Sequence, residues 1–313
     1  MVNYFSVNNT RANVICHLAK IRNRNEKGYK MEIKSLGKID FKTIFIAFSN
    51  AFAGYDIQLK ADELKTMWKR RGFNPDLSFA AFEGENIVAF TLNGIGNFNG
   101  IKMAYDTGTG TLKNYRGQGL ATKIFEYSIP YLKEANINHY LLEVLQHNTK
   151  AVSVYRKIGF KVTREFNYFL WKNEEIKDEI KNSDPRYTVE LFDVNQYDSI
   201  SDFWDFYPSW QNSFESIERA KEDFINLGVF ADKKLIGYCI FEPDSGDITQ
   251  IAVDKAHRRN GIASLLLQEV SKLNKNTKTK LINTDITCSS IVDFLKAKNI
   301  EITGKQFEMI KEI

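Results

Sequence analysis

Apolar and polar positions along the chain alternate with two periods, and the same succession of periods runs through it twice. In the first run, "MEIKSL" (31–36) reads as an opening strand, while "FKTIFIAFSNAF" (41–52) and "ADELKTMWKRR" (61–71) carry helical spacing. "LSFAAFEGENIVAFTLNGI" (77–95) reads as a hairpin turning at Gly84-Glu85-Asn86, and "GIKMAYDTGTGTL" (100–112) as a further strand. "LATKIFEYSIPYLKEA" (120–135) is an apolar-periodic helix, "HYLLEVL" (139–145) a buried strand and "TKAVSVYRKI" (149–158) a short helix. "FKVTREFNYFLW" (160–171) is expected to finish the unit as a strand pair, its aromatic residues buried.

The second run opens after a charged, weakly apolar stretch, "KNEEIKDEIKNSDP" (172–185), which reads as a linker. "YTVELF" (187–192) is its first strand, and "SISDFWDF" (199–206) and "FESIERAKEDFI" (214–225) read as helices. "LGVFADKKLIGYCIFEP" (227–243) is a hairpin through Asp232-Lys233-Lys234. A strand "GDITQIAV" (246–253), a helix "GIASLLLQEVSKL" (261–273), a strand "TKLIN" (279–283) and a helix "SSIVDFLKAK" (289–298) follow. Residues 148–163 align with 288–303 without a gap. The pattern predicts two tandem α/β (α+β) units, each with a largely antiparallel mixed sheet flanked by helices. The expected boundaries are an N-terminal extension at 1–30, a first domain at 31–172, a linker at 173–185 and a second domain at 186–313.

Composition narrows the class. The chain of 313 residues is 43% hydrophobic and 26% charged, in the range of a globular protein of two ordinary domains. Its formal charge of +4 is misleading, because residues 1–30 carry Arg11, Lys20, Arg22, Arg24, Lys27 and Lys30 against Glu26 alone. The remainder is close to neutral, so the charge pattern does not point to nucleic acid. Glu26-Lys27-Gly28 can be encoded by a ribosome-binding sequence ahead of Met31, so translation is expected to begin at Met31; a short basic helix through "ICHLAKI" is the alternative. No apolar run has the length of a membrane-spanning helix. Cys16, Cys239 and Cys288 are too sparse for a disulfide framework or a metal site, which fits a reducing cytoplasm and no metal.

The candidate chemistry lies in "NYRGQGLA" (114–121) and "HRRNGIAS" (257–264), each between a strand and an amphipathic helix. A helix start carries backbone N–H groups without partners and a positive dipole end, and glycine there lets an anion approach. Gly108 and Gly110 lack the remainder of a dinucleotide fingerprint and read as a strand bulge. No GxxxxGK[ST] is present, which disfavours a P-loop enzyme.

Arg116-Gly117-Gln118-Gly119-Leu120-Ala121 and Arg258-Arg259-Asn260-Gly261-Ile262-Ala263 both resemble the [QR]-x-x-G-x-[GA] signature of the GNAT superfamily of CoA-dependent N-acyltransferases. Asn148, Ala151, Tyr155 and Gly159-Phe160 resemble that family's second signature. The resemblance covers nearly all of 31–313 and implies a tandem GNAT protein with acetyl-CoA as cosubstrate. It assigns both loops to the CoA pyrophosphate and the strand ends, Thr111, Leu112 and Val253, to the pantetheine arm. Asn148 would contact the pantetheine or the next helix. Tyr155 would hydrogen-bond to, or protonate, the departing thiolate, and Asp106 is a candidate base, with a water chain or Glu143 as alternatives.

The second unit departs from the signature, with Cys288 for Asn148, Leu295 for Tyr155 and Asn299-Ile300 for Gly159-Phe160. The expected reading is therefore catalysis and tighter CoA binding in the first unit, on a small-molecule amine. The second unit becomes a degenerate partner, and oligomeric state is not legible. A non-catalytic CoA- or acyl-CoA-binding regulator and a Fem-type aminoacyl transferase are the rival readings. "FYPSWQNSF" (206–214) suits a ligand-lining loop or, more strongly, a packed interdomain loop.

Overall fold

The computed structural model describes residues 31–54, 58–175, 185–197 and 199–313. The extension at 1–30, with both readings of it, and most of the expected linker lie outside the described residues. The first half runs β1 (Met31–Ser35), α1 (Phe41–Ala51), α2 (Ala61–Arg71), β2 (Phe79–Glu83), β3 (Asn86–Phe98), β4 (Ile101–Thr111), α3 (Leu120–Glu134), β5 (His139–Leu145), α4 (Thr149–Lys157) and β6 (Lys161–Lys172). The second half repeats the plan with β7 (Tyr187–Leu191), α5 (Phe214–Arg219), β8 (Ile225–Ala231), β9 (Lys234–Glu242), β10 (Asp247–Val253), α6 (Ile262–Leu273), β11 (Lys278–Asp285), α7 (Ser289–Ala297) and β12 (Gly304–Glu312).

Three local expectations change. "FKVTREFNYFLW" forms one unbroken strand from Lys161, because it contains no Gly or Pro and both its edges are paired. "SISDFWDF" shortens to a 3-10 turn at Ile200–Phe203. The helix expected over 214–225 stops at Arg219, and Ile225 already begins β8. The hairpin turns form where expected: Gly84 and the pair Asp232 and Lys233 have positive φ, the left-handed backbone that such turns require.

All twelve strands make one sheet, in the order β1-β2-β3-β4-β5-β12-β6-β11-β10-β9-β8-β7. The two closing strands are exchanged: β12 lies between β5 and β6, while β6 pairs with β11 of the second half. At the centre, Glu308 sits opposite Glu143 on one side and Arg164 on the other. Arg164 holds Glu308 with two bonds of 2.8 and 2.6 Å, which neutralises a carboxylate 4% exposed.

The segment 206–214 packs between the halves, in line with the stronger reading of it. Trp210 stacks on Tyr105 of β4 with centroids 5.2 Å apart, and its Nε1 donates to the Arg71 carbonyl. The buried Arg70 of α2 reaches across to Asp247 at 2.6 Å, to Asn212 and Thr249, and to the Gln211 carbonyl. Burial alone would raise the Asp247 carboxyl, but the Arg70 charge holds it below its ordinary value.

The halves are therefore expected to unfold as one unit. Chemical denaturation followed by tryptophan fluorescence and by circular dichroism should give a single coincident transition, and two separable transitions would contradict the exchange. Glu308→Ala should cost about 3–5 kcal/mol in the same experiment, since it leaves Arg164 charged and unpaired in the sheet centre.

Candidate active site

Both halves build the same loop from the same parts. In each, a strand end leads through a short 3-10 turn to a left-handed glycine that starts a helix: Gly119 (φ 71°) before α3 and Gly261 (φ 83°) before α6. Neither helix start is capped by a side chain, and a Cβ at either glycine would meet nothing within 4 Å. Uncapped amides facing open space fit an anionic group.

The leading arginines brace these loops. Arg116 donates to the carbonyls of Thr111 and Ala51, and Arg258 to those of Val253 and Phe203. Arg258 also pairs with Asp205 at 2.9 Å, and Asp205 accepts from Ser290 at the start of α7. Leu112 donates its amide to Val88, as Asp254 does to Ile236. The amide expected to be open at Leu112 is thus used within the sheet. Ladder alternation turns the amides of Thr111 and Val253 the other way, toward the gap beside each strand.

That gap exists because the parallel pairs separate. β4 and β5 pair only at Ala104–Tyr140 and Tyr105–Leu141, and β10 and β11 only at Asp247–Lys280 and Ile248–Leu281. A single-residue bulge sits beside each divergence, at Thr107 and at Thr249. The bulge thus falls next to Gly108 rather than spanning both glycines. Those glycines admit the rings of Phe48 and Phe90 instead.

The two gaps differ in content. In the first half Tyr155 and Asp106 meet, the phenol donating to Asp106 Oδ2 at 3.0 Å. Asp106 also accepts from Thr109 Oγ1 and from the Gly108 amide. Asn148 caps α4 by accepting from the Ala151 amide, so its contact is with the next helix. Phe125, Tyr140, Phe160 and Tyr155 pack ring against ring around this point, with centroids 5.0–5.7 Å apart. The cavity they enclose measures about 10 Å³.

In the second half the corresponding residues after the helix-start glycine and along 288–303 are Leu267, Leu295 and Ile300, where the first half has Phe125, Tyr155 and Phe160. Smaller aliphatic groups replace rings. A cavity of about 470 Å³ runs from the loop at Val253, Arg258, Arg259, Gly261, Ile262 and Ala263 down between β10, β11 and α7. Asn260 lies in the same loop. Its wall also includes Phe203, Trp204, Phe206 and Pro208, so the segment following the second unit's first strand closes one side.

Sequence comparison agrees with this duplication. The pattern of the Acetyltransferase (GNAT) family matches residues 45–160 and again 189–285. The chain belongs to that family. N-alpha-acetyltransferase 30 of Schizosaccharomyces pombe is 29% identical over 98 residues, which is 31% of this chain and 65% of that protein. Two solved structures share the doubled GNAT fold at low identity. A GCN5-related N-acetyltransferase from Sphaerobacter thermophilus superposes with a TM-score of 0.64 at 14% identity, covering 90% of this chain and 95% of its own. A tandem GNAT protein from the clavulanic acid biosynthesis pathway gives 0.67 at 12%, covering 90% and 98%. Among the described residues no His, Cys, Asp and Glu group could hold a metal, and no helix is long and apolar enough to cross a membrane.

Sequence reasoning did not register a polar network joining the two GNAT halves beneath the open cavity. Glu143 Oε2 accepts from Gln211 at 2.6 Å and from Asn283 at 2.7 Å, and Asn283 accepts in turn from Gln306. Its signal was the spacing: Glu143 and Asn283 occupy matching positions in the two repeats, and only the exchanged strands bring them together. Burial raises the Glu143 carboxyl above its ordinary 4.5, and likewise Asp106 above 3.8.

With a raised folded-state value, the folded chain holds an extra proton in the window just above pH 4.5. This group's contribution to stability therefore falls as pH rises through that window. Glu143→Gln keeps one acceptor oxygen for Gln211 and Asn283 and removes the titration. Denaturation midpoints measured from pH 4.5 to 7 should fall less steeply with pH in the variant than in the natural protein; parallel curves would exclude Glu143 as the source.

Proposed function

We propose that the protein is an N-acyltransferase that takes its acyl group from acetyl-CoA, passes it to a primary amine of a small-molecule acceptor, and holds the acyl donor in its second half. The observation that carries this reading is the cavity of about 470 Å³ that opens onto the second glycine loop. The uncapped amides at the start of α6 would hold the pyrophosphate, with Arg259 beside them. The Val253 amide faces the gap and would hydrogen-bond the pantetheine arm. Ile251, Leu281, Ile291 and Phe294 line the passage with apolar surface that excludes water. Acetyl-CoA supplies the activated acyl group when bound. The aromatic side of the cavity, at Phe203, Trp204 and Phe206, would receive the body of the acceptor. This placement reverses the expectation of a catalytic first half. Two side chains favourable to catalysis are present there, but the space next to them is filled by rings.

A second reading keeps the chemistry in the first half, and the contact between Tyr155 and Asp106 favours it. It requires the rings around Tyr155 to part on binding.

Calorimetric titration of the whole protein with CoA distinguishes the two. One equivalent should bind, and Gly261→Glu should weaken it at least tenfold by placing a carboxylate before the amides of α6. Gly119→Glu should leave the isotherm as it was. The reverse pattern would move the site to the first half. In a screen of amines with acetyl-CoA, read as released thiol, Tyr155→Phe should leave turnover within about twofold while lowering stability by roughly 1.5–3 kcal/mol, the worth of a hydrogen bond to a carboxylate. A loss of turnover of ~10²-fold or more would instead mark Tyr155 as the acid.

A further inference from the structure

The second glycine loop carries a dipeptide that the first does not. Asn260-Gly261 stands where the first loop has Gln118-Gly119. The chain has three Asn-Gly pairs, and their surroundings differ. At Asn93-Gly94 the asparagine is fully buried, its Nδ2 donating to the Leu77 carbonyl and its Oδ1 accepting from Tyr140. Asn99-Gly100 forms the two-residue turn of the β3–β4 hairpin, closed by the pairing of Phe98 with Ile101. At the third pair, Arg259, Asn260 and Gly261 are all exposed. Among the described residues neither the Asn260 carboxamide nor the Gly261 amide meets a hydrogen-bond partner. A Cβ at Gly261 would meet nothing within 4 Å, so a ring closing over it has room.

An asparagine followed by glycine is open to attack by the next backbone nitrogen, because glycine has no side chain to block the approach and turns freely into line. Glutamine, as at Gln118, would have to close a larger ring, which forms far more slowly. The electrostatics of the second loop help the closure. Negative charge gathers on the attacking nitrogen and on the carboxamide oxygen, at the positive end of α6 and beside Arg259. Arg259 takes the left-handed backbone (φ 67°) that Gly117 takes in the first loop (φ 79°), so the second loop keeps its shape and adds a cation.

We propose that Asn260-Gly261 is a self-modification site, through which the second loop loses its hold on the acyl donor when it stands empty. This rests on the reading that the second half binds the acyl donor. The Gly261 nitrogen forms a bond to Asn260 Cγ, the bond from Cγ to the side-chain nitrogen breaks, and ammonia leaves with the amide proton. Water then opens the cyclic imide at either carbonyl, leaving an aspartate or isoaspartate; nothing is oxidised or reduced. The product carboxylate lies at the start of α6. It takes the place of the pyrophosphate against the uncapped amides and repels that anion, while the helix dipole favours the new charge. The modification therefore lowers donor binding without weakening the fold.

The test incubates the whole protein at mildly alkaline pH with and without CoA, and follows Asn260 by peptide mass in water labelled with heavy oxygen. Asn260 should convert, taking up one labelled oxygen. CoA at ten times its dissociation constant leaves about a tenth of the sites empty, so conversion should slow about tenfold, while that of Asn99 should not respond. Asn260→Gln should abolish conversion at this position. Asn260→Asp should bind CoA at least tenfold more weakly in calorimetry and melt no lower than the natural protein. An Asn260 that stays intact over weeks overturns the modification and leaves the donor site standing. So does a conversion that CoA fails to slow although it binds at the second loop, or an Asn260→Asp variant that binds CoA as the natural protein does. A lower melting temperature of Asn260→Asp overturns the switch by showing damage to the fold. Failure of CoA to bind, or binding that survives Gly261→Glu, overturns both the donor site and the switch.

Discussion

The exchange of closing strands is the constraint on which this molecule rests. With β12 seated between β5 and β6, neither half owns a complete sheet, and a buried ion pair of the centre, Arg164 with Glu308, joins strands of different halves. The ladder fixes register, and register places Glu143 within reach of Asn283 and Gln211. Trp210 and Arg70 add a second lock at the same junction. The geometry of each gap is therefore set partly by the other half, and the two gaps cannot vary independently.

Within that frame, the two gaps differ in how much space they leave open. Both repeats keep the features that are written into the backbone: a bulge beside the divergence, a strand-end amide turned outward, a left-handed glycine and an uncapped helix start. What differs is the packing below. Four aromatic rings in the first half surround a cavity of about 10 Å³; aliphatic groups stand at the positions matching three of them in the second half, where the opening is about 470 Å³. Interiors pack densely, so a ring is not traded for an aliphatic side chain without a change of available space. The half that keeps Tyr155 is thus the half with the less room.

The arginines of the two loops act within the fold. Their guanidinium groups are spent on backbone carbonyls, Thr111 and Ala51 for Arg116 and Val253 and Phe203 for Arg258. They brace the loop within the fold, and on the proposed reading it is the helix start itself that attracts the anion.

The sequence by itself determined much. Alternating and helical periods located nearly all the elements, glycine spacing located both loops, and the repeat of 148–163 in 288–303 announced the duplication. Such features are legible because they depend on backbone conformation and on neighbours a few residues away. Tertiary structure alone decided that "FKVTREFNYFLW" is one strand, that β12 enters the other half, and that Leu112 spends its amide on Val88. It alone decided which of two similar loops faces an open cavity. Those outcomes depend on volumes and hydrogen bonds between residues far apart in the chain, and a one-dimensional pattern does not record them.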